Sequence, residues 1–407
     1  MDQSHNPPSC TDSTWQVFLI FLRLGLTSFG GPVAHLGFFR EEFVARRKWM
    51  SDHQYADLVA LCQFLPGPAS SQVGLALGMS QRGYRGAMAA WLGFTMPSAI
   101  FLVAAAYGFA QADSLSSGLL SGLKIAAVAV VAQAVWSMAP NLCPDRPRQL
   151  IMLLAAAIVL MLPIPAVQLG VLLLAAGAGF LLPAAQIPAP AEQGQVKGSW
   201  ATRKGARLSA ILLALFVLIF FMLPVVANAT GLAWLNLADI FYRTGALVFG
   251  GGHVVLPLLQ TELVPTGWIS EDLFLAGYGL TQAVPGPLFT FSAFVGAAAN
   301  QPYPGWLAAL VCLLAIFLPS FLLVGGILPY WEKLRQLQWV RQILLGVNAA
   351  VVGLLLAALY QPVWTSAISG QPSFVLLLLA CAALFVLRLP VWLVVIAMAG
   401  AGAVFLG

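Results

Sequence analysis

Long apolar runs of bilayer-spanning length, divided by short polar loops, follow one another along almost the whole chain. The runs lack the period-two alternation of a transmembrane barrel strand, so the pattern predicts helices throughout. Four plain spans are predicted in the first half, over residues 86–110, 118–139, 149–162 and 167–182, and a further one over 208–227. Other apolar segments interrupt themselves. Residues 21–37 read FLRLGLTSFGGPVAHLG, with a cation at Arg23 and helix breakers at Gly30, Gly31 and Pro32. Residues 241–257, FYRTGALVFGGGHVVLP, repeat the interruption at an offset of 220, matching Arg23 with Arg243, Gly25 with Gly245, Gly30 with Gly250 and Gly31 with Gly251.

The match continues. KWMSDHQYADLVALCQFLPGPASS at 48–71 answers to GWISEDLFLAGYGLTQAVPGPLFT at 267–290. Met96-Pro97-Ser98 answers to Leu318-Pro319-Ser320, and GLKIAAVAVV at 122–131 to GVNAAVVGLL at 346–355. Ordered matches over this length indicate an internal duplication. The chain divides into an N-terminal tail (1–14), a first repeat (15–184), a polar linker (185–207), an unpaired transmembrane helix (208–227) and a second repeat (234–407).

Composition settles the class. The 407 residues are 60% hydrophobic and 8% charged, which excludes a soluble protein and leaves an all-α polytopic membrane protein. The net charge of +5 does not indicate nucleic acid, because basic residues of a membrane protein gather in cytoplasmic loops. Their placement differs between matched loops. ARRKWMSD is basic where PTGWISED is acidic, SQRGYRG is basic where NQPYPGW is uncharged, and AQADSLSSG is acidic where YWEKLRQLQWVRQ is basic. CPDRPRQ and LRLP are likewise more basic than their partners, QPVWTSAISGQPS and PIPAVQ. By the positive-inside rule the two repeats are expected upside down relative to each other, with a cytoplasmic N-terminus and a periplasmic C-terminus. The odd helix 208–227 reverses the direction between them. Both ends of residues 52–80 then face the cytoplasm, so this segment, cut by Pro66-Gly67-Pro68, is expected as a re-entrant broken-helix hairpin. Residues 15–44, cut at Gly30-Gly31-Pro32, are a candidate for a second. The five cysteines show no metal-ligand or CxxC spacing and read as apolar filler. The N-terminal stretch lacks the basic region and cleavage site of a secretory signal, and is expected on the mature protein.

Interrupted helices at membrane depth are tolerated where they line a cavity, and each new half-helix begins with unpaired N–H groups and a partial positive charge. After the two Pro-Gly-Pro turns come Ala69, Ser70 and Ser71 in one half and Leu288, Phe289 and Thr290 in the other. N–H groups with adjacent hydroxyls suit an oxyanion. Arginine suits a tetrahedral oxyanion because its planar fork bonds two oxygens. The candidate substrate-binding residues are therefore Arg23, Gly30, Gly31, Gln63, Pro66, Gly67, Pro68, Ser70 and Ser71, with Arg243, Gly250, Gly251, Gln282, Pro285, Gly286, Pro287 and Thr290 from the second half. Arg23 has a second reading, as a side chain that snorkels to the surface or pairs with a carbonyl. Gln63 and Gln282 sit where they could orient the turns by hydrogen bonds. His35, Glu42, Lys124, His253 and Glu262 are candidates for proton coupling. Glu42, flanked by Arg40, Arg46 and Arg47, also fits a solvated ion-pair network, and Lys124 fits a snorkelling lysine. No nucleophile–base pair, metal cluster or cofactor fingerprint marks an enzyme, and no cofactor is expected.

The ordered set FLRLGLTSFGGP, RRKWMSD and QFLPGP, echoed by FYRTGALVFGGGH, GWISED and QAVPGP, resembles the chromate ion transporter family in its two-domain form. The resemblance implies a bacterial inner-membrane carrier that exports chromate, driven by membrane potential or protons, and confers chromate resistance. The sequence departs from its own repeat at Gly252, which stands where the first half has Pro32. Residue chemistry alone reaches an anion carrier. Sulfate has the charge and shape of chromate, so a sulfate or related oxyanion carrier stays open, as does an anion channel on the same scaffold. The expected partners are the oxyanion, protons and the lipid bilayer, with a homo-oligomer left open.

Overall fold

The computed structural model describes residues 12–111, 117–182, 203–249, 251–331 and 337–406. Gly250 and most of the tail and linker lie outside the described residues. Among the described residues the chain is helical without strands, as the apolar pattern predicts. The first half contains α1 (Thr14–Thr27), α2 (Gly31–Phe39), α3 (Asp52–Phe64), α4 (Ala69–Gln111), α5 (Ser117–Leu142), α6 (Arg146–Met161) and α7 (Pro165–Gly179). After α8 (Arg203–Thr230) the second half contains α9 (Ala233–Leu247), α10 (Val255–Leu263), α11 (Glu271–Thr281), α12 (Phe291–Ala298) and α13 (Gly305–Ile327). It closes with α14 (Gln338–Ala358), α15 (Gln371–Cys381) and α16 (Val391–Phe405).

Local chemistry sets the boundaries. Ser13 and Gln16 form a capping box at the start of α1, and Ser51 with Gln54 forms another at α3. Ser270, which matches Ser51, caps α11 by accepting from the Leu273 N–H. α3 cannot run through Pro66-Gly67-Pro68, because neither proline has an N–H to give and Gly67 adopts φ +118°. Gly286 does the same in the second half at φ +101°. α4 folds back on itself at Arg82 and Gly83, whereas the matching pair α12 and α13 is separated outright by a stretch holding Pro302 and Pro304.

Five helical stretches are long and apolar enough to cross a membrane: Ala69–Phe109, Ser117–Leu142, Arg207–Thr230, Gly305–Tyr330 and Gln338–Ala367. Only 6% of the most apolar window of Arg207–Thr230 is fully buried: α8 rests one half-buried face, with Leu212, Leu213 and Phe216, on α13 and α9 and presents the rest outward. The other four spanning stretches are more than half buried and form the interior.

Helices cross at glycines, and the crossings recur in the two halves. Gly25 of α1 sits against the backbone carbonyl of Phe94 in α4, and its match Gly245 of α9 sits against Ile316 O in α13. Gly122 of α5 abuts Met398 O in α16, and its match Gly346 of α14 abuts Ala175 O in α7. A side chain at any of these would drive two helix backbones apart. In lipid, where no hydrophobic effect pulls helices together, such close backbone approach is a main source of association. These crossings fix where the interrupted helices end.

Candidate functional site

The four helix breaks meet. The Gly67 N–H donates to Val248 O at 2.7 Å, and the Gly286 N–H donates to Ser28 O at 3.1 Å. Ser28 and Val248 are the C-caps of α1 and α9, so each Pro-Gly-Pro turn is bonded to the break in the other half. A β-carbon on Gly67 would lie 2.8 Å from Ser320 Oγ, and one on Gly286 would lie 2.9 Å from Ser98 Oγ. Gly252 brings the two glycine-rich breaks together, since a β-carbon there would lie 3.7 Å from the Pro32 ring. Ser98 and Ser320 belong to the matched Met-Pro-Ser and Leu-Pro-Ser triplets, a signal available in the sequence but not connected there to the turns.

This arrangement corrects one expectation. The N–H groups of Gly67 and Gly286 are not open to a ligand, because each is taken by a carbonyl of the opposite half. Among the described residues, the N–H groups without a backbone acceptor lie one step later. The first bond of α4 runs from the Gln72 N–H to Pro68 O, leaving Ala69, Ser70 and Ser71 as the helix's first turn ahead of the ladder. Ser70 and Ser71 are buried there. Gln72, unmarked by the sequence reading, holds the turn by donating from Nε2 to Pro66 O at 2.6 Å. Gln63 is exposed instead, and the buried Nε2 of Gln282 has no partner, so the expected role of these glutamines in bonding the turns is not met. Pro68 and Pro287 anchor the following turns through their carbonyls, Pro287 O accepting from both the N–H and the hydroxyl of Thr290. Pro285 is half-buried.

The histidines bind the breaks to the hairpins. His35 reaches Ser28 O through Nε2 at 3.2 Å and Ser70 Oγ through Nδ1 at 3.4 Å, and so joins the end of α1 to the start of α4. His253 meets the Tyr278 hydroxyl of α11 at 2.8 Å. Gly30 and Gly31 occupy the first break, with open space around the position a Gly31 side chain would take. Gly251 faces Met138 of α5.

Both arginines are engaged by carboxylates of their own hairpins. Arg23 Nη2 lies 2.8 Å from Glu42 Oε2, and buried Glu42 also accepts from Arg47 at 2.7 Å and Arg46 at 3.3 Å. Arg243 holds Asp239 through two nitrogens at 2.9 and 2.8 Å and approaches Glu262 at 3.5 Å. Arg23–Glu42 and Arg243–Glu262 are thus one pair in duplicate. Arg23 pairs with a carboxylate rather than a carbonyl, and Glu42 sits in the expected ion-pair network but buried rather than solvated. Asp239, four residues before Arg243 and without an acidic match at Leu19, was missed. Lys124 does not snorkel freely: its Nζ contacts Asp272 Oδ1 of α11 at 2.7 Å and Ser366 O at 3.0 Å.

Comparison with known proteins agrees with this duplicated plan. The family model described as chromate transporter matches twice, over residues 15–181 and 235–403. A chromate transport protein of Pseudomonas aeruginosa is 28% identical over 376 residues, covering 87% of this chain and 84% of its own. One of Cupriavidus metallidurans is 26% identical over 362 residues, covering 87% and 83%. An uncharacterized transporter of Bacillus subtilis matches 30% of this chain and 67% of its own at 31% identity. No solved structure matches the chain. With both halves matched by one family model, the chain belongs to the chromate transporter family.

Proposed function

We propose that the protein is a secondary carrier that exports chromate across the bacterial inner membrane, with the oxyanion held where the four helix breaks meet. The observation that carries this reading is the reciprocal pair of bonds between Gly67 and Val248 and between Gly286 and Ser28. Interrupted backbone from both halves converges there, and carriers built from duplicated halves use such points for substrate. The first turn of α4 adds N–H donors and the positive end of a helix dipole, which favour an anion. Moving a dianion outward, down an inside-negative potential of about 100 mV, releases about 4.6 kcal/mol, so the potential alone favours export. Proton coupling is the alternative drive. Glu262 is the carboxylate to test for it, because it shares the single guanidinium of Arg243 with Asp239.

In this reading the repeats, 15–184 and 234–407, are inverted, the N-terminus is cytoplasmic and the C-terminus periplasmic. Supporting it are the opposed loop charges and the glycine crossings that recur in both halves. A thiol label placed beside Trp49 should then react only from the cytoplasm, and one beside Trp268 only from outside. Labelling of both from one side would end the inverted arrangement. The reading also makes the first-half hairpin of α3 the moving gate: α11 is docked on α5, whereas Ala56, Ala60 and Gln63 of α3 are exposed.

The deciding experiment is uptake of labelled chromate into everted vesicles, which should be concentrative and collapse when the potential is dissipated. Uptake of sulfate in preference to chromate would make the protein a sulfate carrier. A steady conductance without accumulation would make it a channel.

A further inference from the structure

Five buried polar atoms near the breaks, Ser28 Oγ, Ser71 Oγ, Thr95 Oγ1, Gln282 Nε2 and Gln72 Oε1, have no hydrogen-bond partner among the described residues; the first four can donate to an anion, and Gln72 Oε1 can only accept. Their neighbours show that this is not the common state of buried hydroxyls here. Ser98 donates to Thr95 O at 3.0 Å, Thr281 to Gly277 O at 2.8 Å, Ser292 to Phe289 O at 2.7 Å and Thr290 to Pro287 O at 2.7 Å. Each of these satisfies itself on its own helix turn. Ser28, Ser71 and Thr95, all at least nine-tenths buried, do not.

The unpartnered groups belong to one place. Ser28 is joined through His35 to Ser70, the residue before Ser71, and its carbonyl accepts from Gly286, one turn beyond Gln282. Thr95 follows Phe94, whose carbonyl lies 3.2 Å from the β-position of Gly286. In the folded-back α4, Gly78 packs on Gly86 and Ala90, which sets the 94–98 turn level with the 69–72 turn.

The duplication supplies a control inside the molecule. At the positions matching Ser28, His35, Ser70, Gln72 and Thr95 the second half has Val248, Val255, Phe289, Phe291 and Phe317. These five counterparts are equally buried. The remaining match of Ser71, Thr290, has its hydroxyl bonded to Pro287 O. The same backbone junction is therefore built twice, once with donors left open and once closed with apolar side chains.

We propose that a single tetrahedral oxyanion binds on the first-half side of the junction, at the N-terminus of α4, taking hydrogen bonds from Ser28, Ser71, Thr95 and Gln282 and from the first-turn N–H groups. This rests on the carrier reading above and names its ligands. The donors are neutral, so the anion is held by oriented dipoles and can be released, while Gln72 and His35 act as positioning residues for the turn and its serines.

The test uses the full chain in detergent, with chromate as the probe and thermal unfolding as the readout, beside vesicle uptake. Ser71→Ala and Thr95→Val should each weaken chromate binding about ten- to a hundredfold, the effect of losing one hydrogen bond to a charged group. Without chromate both variants should unfold at the wild-type temperature or above it, since the hydroxyls removed bond nothing in the empty protein. Ser292→Ala should bind chromate as the wild type does. Wild-type chromate affinity in both site variants, with uptake intact, overturns the site and leaves the carrier reading standing. A lowered unfolding temperature without chromate, with affinity unchanged, makes the hydroxyls structural and also overturns it. Failure of the wild-type protein itself to bind or take up chromate overturns both.

Discussion

α3 and α11 descend from matching sequence, share a serine N-cap and end at the same Pro-Gly-Pro turn, yet they sit in different surroundings. Gly279 of α11 lies on the Leu123 carbonyl of α5, and Lys124 fastens the start of the helix through Asp272. The matching residues of α3 are Ala60 and His53, both exposed. Glycine on α11 permits backbone contact that alanine on α3 would obstruct. The second hairpin is thereby fixed against the helix layer, and the first keeps an open face that ends at Gln63. The same division appears at the junction, where polar Ser28, His35, Ser70, Gln72 and Thr95 face apolar matches. Duplication has preserved the backbone plan, while side-chain substitution has separated an anchored half from a half that carries open donors.

The largest expected effect tests what the halves still share. Gly67→Val and Gly286→Val should each abolish transport while the protein still inserts. Positive φ alone costs a valine about 1–3 kcal/mol. In addition the new β-carbon would stand 2.8 Å from Ser320 Oγ in one case and 2.9 Å from Ser98 Oγ in the other. Uptake by both variants at wild-type expression would reduce the turns to ordinary connections.

A smaller effect should separate the two arginine sites. Arg243→Ala strands Asp239, whose side chain is 9% exposed, and should destabilise the protein by about 2 kcal/mol in thermal unfolding. Arg23→Ala should cost less than about 1 kcal/mol, because Arg23 is half exposed and Glu42 keeps Arg46 and Arg47. Lysine should replace Arg23 but not Arg243, whose two-pronged hold on Asp239 it cannot reproduce. If both lysine variants unfold normally yet lose uptake, the arginines act on the anion rather than on the hairpins.

Thiol chemistry reads the open face directly. A Gln63→Cys variant should react readily with a water-soluble reagent, and Gln282→Cys only slowly. Equal rates would mean that the hairpins are equally open in the membrane. The mildest expectation concerns the latch. Asp272→Ala should cost under about 1 kcal/mol, since Asp272 is largely exposed and Lys124 keeps the Ser366 carbonyl. Reversing the pair, Lys124→Asp with Asp272→Lys, should restore most of that loss.

Much of the fold was legible along the chain. The spans over 86–110, 118–139 and 208–227 and the breaks at Gly30-Gly31-Pro32 and at both Pro-Gly-Pro turns follow from apolar length and from residues that cannot continue a helix. The expected spans 149–162 and 167–182 instead form helices of 16 and 15 residues that are not among the spanning stretches. The duplication was legible because it is a comparison of the sequence with itself. The site was legible only in part: Gly67, Gly286, Ser70 and Ser71 stand at the junction, whereas Arg23 and Arg243 are held by carboxylates. An arginine in an apolar run announces its cost but not its partner. Ser28, Gln72 and Thr95 carried no signal, since a lone hydroxyl or amide in a helix usually satisfies itself locally.

The sequence by itself determined helices, their interruptions and the twofold repetition, because propensity, proline chemistry and hydropathy act within a few residues of one another. Tertiary structure alone decided which carbonyl takes each turn's N–H, that Glu42 takes Arg23 and which hydroxyls are left without a partner, whereas Arg243 and Asp239 pair at i,i+4 on one helix. Those outcomes depend on groups that the chain separates by as many as 258 positions, such as Gly286 and Ser28, and only the crossing of helix backbones at their glycines brings them within a hydrogen bond of each other.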